Sequence, residues 1–182
     1  QKRSEVEEIF TTKLLFTQFI QEETKRNLQR IKNFYNSIII VGETGTAKSS
    51  IAYQTFLNQE MHNNQLISID AKLMNEKMWK FLVNPTNGPL VDEHNTLLFQ
   101  NIEQLSVRDA EQLITIVKNT KLLQRNNLLF TYNTNNASEE KIYNRLLFEL
   151  NCASIYAPPL KERKHELSVI TTLLLNKINI EC

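Results

Sequence analysis

The sequence predicts an α/β fold in which a parallel sheet of about five strands is flanked by helices. Three observations point there. Short apolar, β-branched runs alternate along the chain with segments of helical pattern, as parallel sheets covered on both faces require. One of these runs, S-I-I-I-V at Ser37–Val41, leads straight into a glycine-bearing turn and then a helix. Glycine occurs only 3 times in 182 residues, yet Gly42 and Gly45 share a four-residue window. A chain so poor in glycine keeps it where the backbone geometry demands it.

Residues 1–35 read as helical, without Pro or Gly and with Leu28, Ile31, Phe34 and Tyr35 forming an apolar stripe. Residues 1–30 are assigned to a helical linker or arm, with a neighbouring module as the alternative for residues 1–25. Ser37–Val41 is a buried strand, and Ser50–Asn58 a helix. Leu66–Asp70 is a second strand, followed by helical Glu76–Leu82 and a loop at Asn84–Pro89 set by two prolines and a glycine. Thr96–Phe99 is a third strand. Val107–Leu123 is a helix with Ala110, Leu113, Ile114 and Val117 on one side. Leu128–Tyr132 is a fourth strand, Glu139–Leu150 a helix and Ala153–Tyr156 a fifth strand stopped by Pro158-Pro159. Glu162–Leu175 is a last helix. The main domain is placed at 31–160 and the start of a truncated helical lid at 161–182.

Composition removes several function classes. Lys plus Arg number 21 against 20 Asp plus Glu, a net charge of +1, which lacks the basic footprint of a dedicated nucleic-acid module or a polybasic membrane anchor. No apolar run nears the roughly 18 residues that span a bilayer, and the charged N-terminus lacks the apolar stretch of a signal peptide. Cys152 and Cys182 make neither a disulfide framework nor a metal site. These features predict a cytoplasmic protein with no membrane partner. The missing initiator Met points to a fragment of a longer protein, and the clustered Asn residues (Asn126, Asn127, Asn133, Asn135, Asn136) to compositional bias.

The segment G-E-T-G-T-A-K-S at 42–49 fits the phosphate-binding pattern G-x-x-x-x-G-K-[ST] in all but one position, and sits between a strand and a helix as that pattern requires. Gly42, Glu43, Thr44, Gly45, Thr46, Ala47, Lys48, Ser49 and Ser50 are the candidate nucleotide-binding residues. The two glycines let backbone N–H groups turn inward around phosphates, aided by the helix N-terminus. Lys48 brings positive charge to the outer phosphates, and the Ser49 hydroxyl faces a magnesium ion. Ala47 stands where the last glycine belongs, so its Cβ is expected to strain the loop. The alternative is an ordinary strand–turn–helix with a solvated lysine.

The chain resembles the AAA+ ATPase domain of the sigma-54-dependent transcription activators, the bacterial enhancer-binding proteins. G-E-T-G-T-A-K-S-S-I-A at 42–52 is similar to their Walker A region. I-Y-N-R-L-L-F-E-L-N-C-A-S-I-Y-A-P-P-L-K-E-R-K at 142–164 is the most specific stretch, N-T-L-L-F-Q-N-I-E-Q-L at 95–105 takes the Walker B place, and L-L-F-T-Y-N-T-N-N at 128–136 resembles the sensor I strand, with Asn133 at the sensor position. The resemblance covers about residues 30–170. It implies a P-loop NTPase sheet, ATP or ADP with Mg2+ as cofactor, self-association, and Arg145 as an arginine acting across a subunit interface, against the plainer reading of a surface ion pair.

Departures from the family pattern shape the functional expectation. The family's Walker B ends in Asp-Glu, but here Gln100 and Asn101 occupy those positions, and neither amide can act as a base or bring charge to a metal. Glu103, Asp92 and Glu93 are read as solvated loop acids, with no geometric motive for a rescue. The family's G-A-F-T-G-A loop has no counterpart in residues 71–95, and most of the lid with its sensor II arginine is missing. The expectation is a degenerate AAA+ domain of a bacterial transcriptional regulator. It hydrolyses ATP weakly or not at all, works as a nucleotide-responsive or self-association module and does not remodel sigma-54. Other regulatory proteins are possible partners, and DNA only through domains outside this fragment. Two alternatives stand beside it: an active ATPase with a non-standard acid, and a nucleotide-independent interaction scaffold. Arg163 is read as a hinge residue, Trp79 as a core or cap aromatic, and Cys152 as a buried inert thiol. His62, His94 and His165 lack ligand spacing.

Overall fold

The computed structural model describes residues 2, 4–6, 20–31, 34–58, 65–135, 140–172 and 175. Five strands, β1 (Ser37–Gly42), β2 (Gln65–Asp70), β3 (Asn95–Gln100), β4 (Asn127–Asn133) and β5 (Ala153–Tyr156), form one sheet in the order β2-β3-β4-β1-β5. Every neighbouring pair is parallel. Among the described residues, the helices α1 (Glu22–Ile31), α2 (Lys48–Leu57), α3 (Glu76–Leu82), α4 (Val107–Asn119) and α5 (Glu140–Glu149) accompany them. Each predicted strand is present within one residue of its predicted ends.

The strands are apolar on both faces because the sheet is covered on both faces. Alternate residues serve opposite layers. Ile39, Leu97, Phe99, Leu128 and Phe130 pack with Leu113 and Val117 of α4 and Ile142 and Leu146 of α5. Ile38, Ile40, Leu98, Leu129 and Ile155 pack with Leu28 of α1 and Ile51 and Phe56 of α2. Val6 and Ile20 join this second layer, and Lys2 bridges antiparallel to Gln65. These described parts of the predicted arm therefore pack into the core of the domain.

Local chemistry sets the helix ends. Ser106 caps α4 by accepting the Asp109 N–H at 3.1 Å, and Asn75 caps α3 by accepting that of Met78 at 3.0 Å. Three expectations need correction. The predicted helix 107–123 stops at Asn119, because Lys121 turns left-handed (φ 50°) and a 3-10 turn follows at Leu122–Gln124. Phe34 is 81% exposed, in a turn beyond the end of α1, so it leaves the predicted stripe. The predicted helix from Glu162 begins instead as two 3-10 turns, Leu160–Glu162 and Lys164–Glu166, broken by Arg163 (φ −110°, ψ 31°). Residues 167–172 are helical.

Candidate nucleotide site

The loop between β1 and α2 folds around backbone requirements written in its sequence. Gly45 has φ +81°, a left-handed conformation open to glycine at little cost. Gly42 is needed for space instead: a Cβ there would lie 2.6 Å from the Ala157 carbonyl oxygen and 2.7 Å from Thr46 Oγ1. Thr46 Oγ1 donates to the Glu43 carbonyl at 2.9 Å and closes the turn. Lys48 Nζ folds back over the loop and donates to the carbonyl oxygens of Gly42 (3.0 Å) and Glu43 (2.6 Å). Burial lowers the Lys48 pKa, and the negative charge of Glu103 opposes that shift.

This loop floors a cleft of about 570 Å³ lined by residues 44–50 together with Asn101, Thr131, Asn133 and Arg163. The cleft lies past the carboxyl ends of β1, β3 and β4, where open α/β sheets bind their ligands. Asn133 reaches across from β4 and donates from Nδ2 to Thr44 Oγ1 at 2.8 Å. Its backbone N–H donates to Glu103 Oε2 at 3.1 Å. Gln100 turns towards β2, with Nε2 donating to Ser68 Oγ at 3.0 Å. Asn101 sits at φ 58°, ψ 45°, donates its backbone N–H to Thr131 Oγ1 at 3.0 Å, and donates Nδ2 to Asp70 Oδ1 at 3.0 Å. Beyond the loop, Glu43 Oε1 pairs with Lys161 Nζ at 2.5 Å, tying the phosphate loop to the turn after Pro159.

Residues 15–82 match the family described as Sigma-54 interaction domain. That match takes in less than half of the 182-residue chain. Its fold is similar to NtrX from Brucella abortus in complex with ATP, with a TM-score of 0.69 and 13% identity over 86% of this chain and 41% of that one. The NtrX structure with ADP gives a TM-score of 0.66 and 12% identity over 89% and 44%, and C. elegans PCH-2 gives 0.52 and 17% over 75% and 42%. The chain spans less than half the length of each of these proteins, and at such identities the likeness shows the fold. No curated protein sequence matches significantly.

The fold gathers residues 44–50, Asn101 and Asn133 around one cleft. Two carboxylates depart from expectation. Glu103, read from sequence as a solvated loop acid, is 5% exposed, because the 3-10 turn Ile102–Gln104 carries it back beneath the end of β4. Asp70 has no motif of its own, and the β2–β3 register brings it beside Asn101. Arg163 is 6% exposed, lines the cleft and pairs through Nη2 with Glu166 Oε2 at 2.6 Å, so the hinge position also contributes a cleft wall. Arg145 lies outside the cleft lining, paired with Glu111 at 2.8 Å and Glu149 at 3.3 Å between α4 and α5; these partners hold its pKa above the usual value. Trp79 is 6% exposed and donates Nε1 to Asp109 at 2.7 Å. Burial pushes the Cys152 thiol up to about 11, which keeps it protonated. His62 and Cys182 lie outside the described residues, among which no His, Cys, Asp and Glu group could hold a metal. No helix among them is long and apolar enough to cross a membrane.

The donor set bears on magnesium. The cleft lining includes no carboxylate, but the exposed Ser49 hydroxyl lies in the first turn of α2. That suits an ion carried in on nucleotide phosphates, Mg2+ being commonly held that way.

Ala47 adopts φ 61°, ψ 30°, a left-handed conformation costing a residue with a Cβ about 1–2 kcal/mol. Part of that strain is offset because alanine is the less flexible residue when unfolded. Ala47→Gly is therefore expected to stabilise the domain by about 0.5–1 kcal/mol. A urea midpoint raised at constant m-value checks it.

Proposed function

We propose that the domain binds ATP or ADP at the 42–50 loop and serves as a nucleotide-responsive, self-associating module of a transcriptional regulator, with hydrolysis far slower than in a carboxylate-equipped AAA+ enzyme. One observation carries the reading: a formed phosphate loop with Lys48 in place shares its cleft with the Asn101 amide, while Gln100 turns aside to Ser68, at the two positions where the resembled family has Asp-Glu. The loop can hold phosphates through N–H groups, Lys48 and the α2 N-terminus. A magnesium ion held by those phosphates and the Ser49 hydroxyl would supply charge neutralisation. Without the acids, water activation loses its base.

The Glu43–Lys161 ion pair gives bound nucleotide a route to the turns that follow β5. Phosphate entering beside Glu43 competes for Lys161, and that competition supports a nucleotide-dependent change in how copies of the domain associate. The lack of a G-A-F-T-G-A sequence between β2 and β3 supports a role other than sigma-54 remodelling. A second reading, an ATPase using Glu103, draws on that acid's burial near Lys48. It is weaker, because Glu103 lies outside the cleft lining and spends Oε2 on the Asn133 N–H.

Titration of a fluorescent ATP analogue, with and without magnesium, tests the proposal. Micromolar binding is expected, weakened about tenfold or more in Lys48→Ala, since hydrogen bonds to charged groups contribute about 1.5–3 kcal/mol. A folded domain that binds no analogue at millimolar concentration would leave the interaction scaffold as the reading.

A further inference from the structure

The parallel register brings an acid to the neutral edge of the cleft. Asp70 ends β2 in register with Gln100, and Asn101 Nδ2 donates to its Oδ1 at 3.0 Å. The same oxygen accepts the Lys72 N–H at 3.1 Å, so the carboxylate is anchored at the start of the 3-10 turn Ala71–Leu73. Asn101 is anchored too, by its backbone bond to Thr131 Oγ1. An ionised carboxylate only accepts hydrogen bonds, so the NH2 end of the Asn101 amide must face Asp70. Asn101 lines the cleft and Asp70 does not. The amide's carbonyl oxygen is then its end left for the cleft.

We propose that Asp70 is a positioning residue that holds Asn101 with its amide oxygen towards the cleft, where it orients the attacking water in a slow hydrolysis of bound ATP. The inference rests on the nucleotide reading above and makes the domain a timer with a finite off-rate for its ATP state. Side-chain amides orient water in this way in GTPases, where positioning, rather than a strong base, carries the step. In that step the water oxygen bonds to the γ-phosphorus. The bond from the γ-phosphorus to the β,γ-bridging oxygen breaks, and ADP leaves with the electron pair. The water proton passes to a γ-phosphate oxygen, giving ADP and inorganic phosphate, while Asn101 and Asp70 keep their protonation states.

The test uses the 182-residue chain in excess over γ-labelled ATP, with analogue affinity measured in parallel. Wild type should release phosphate slowly but above Lys48→Ala. Asp70→Ala and Asn101→Ala should each slow release by about tenfold or more, since misplacement of about 1 Å can cost a hundredfold. Affinity should stay within about twofold, because neither change removes a phosphate-binding group. The double variant should be no slower than the single ones. A charge exchange gives a readout that a structural role would not move. Asn101→Glu alone sets two carboxylates against each other, so one holds a proton and release gains little. Adding Asp70→Asn frees the new glutamate, and release should exceed wild type. This pair also decides the matter if Asp70→Ala does not fold.

An Asp70→Ala rate equal to wild type with binding intact would overturn the inference and leave the nucleotide reading standing. So would Asn101→Glu outrunning the exchanged pair, or a wild type that binds ATP yet hydrolyses no faster than Lys48→Ala. Absence of binding in the folded chain would overturn both.

Discussion

Gly42→Ala is expected to destabilise the domain by about 3 kcal/mol and to weaken nucleotide binding by more than tenfold, because overpacking costs about 1–3 kcal/mol even where neighbours can adjust. Here they have little room. The added methyl would meet the Ala157 carbonyl oxygen at 2.6 Å, Thr46 Oγ1 at 2.7 Å and Ala157 Cβ at 3.2 Å. Ala157 is fully buried, and its N–H donates to the Val41 carbonyl at 2.7 Å, locking the end of β5 onto β1. The Thr46 hydroxyl could rotate away, but that would sacrifice its bond to Glu43 O and open the turn over which Lys48 folds. Relief must therefore come from parting β1 and β5 or from distorting the phosphate loop. Urea unfolding monitored by Trp79 fluorescence measures the first cost, and the fluorescent ATP analogue measures the second. Wild-type affinity in a stable Gly42→Ala protein would show that the loop is less constrained than its contacts indicate.

Phe130→Ala should be costlier still, at about 4 kcal/mol. Phe130 is fully buried at the centre of the sheet, on a strand paired on both sides. It lies beside Phe99 in register, with ring centroids 5.8 Å apart and planes 25° from parallel. Removing the ring empties the layer shared with α4 and α5, and the sheet's two-sided hydrogen bonding limits collapse into the gap. For a domain of this size, a loss of that order lowers the melting temperature by about 8–16 °C. Phe148, at 85% exposed, is the internal comparison, since surface truncations away from special features stay within about 0.5 kcal/mol. Thermal unfolding followed by circular dichroism separates the two variants.

The strands were legible because each is a short apolar run bounded by polar or turn residues, and burial on both faces favours such runs. The phosphate loop was legible because two of three glycines fall in one motif between a strand and a helix. The acids around it were not. Asp70 and Asn101 are 31 positions apart, and only the β2–β3 register makes them neighbours. Glu103 looks like any loop acid until the left-handed Asn101 and the following 3-10 turn fold it under β4. Arg163 follows a Pro-Pro pair, a helix-start signal, but its guanidinium turns inward to Glu166 and breaks the first turn in two. Each of these features depends on contacts formed only after the sheet assembles, which periodicity does not encode.

The folded-back Lys48 has a consequence for how the cleft meets its ligand. Its ammonium is taken up by two loop carbonyls, and the buried charge of Glu103 lies close enough to act on it. Carbonyl dipoles and carboxylate together offset the cation, so little positive potential extends beyond the cleft mouth, and the chain's net charge of +1 adds almost none. Such a site does not draw anions from a distance. Under the proposed function it would recognise them on contact, a phosphate trading places with the carbonyls, so that selectivity would reside in the fit of the loop and not in the capture of passing charge.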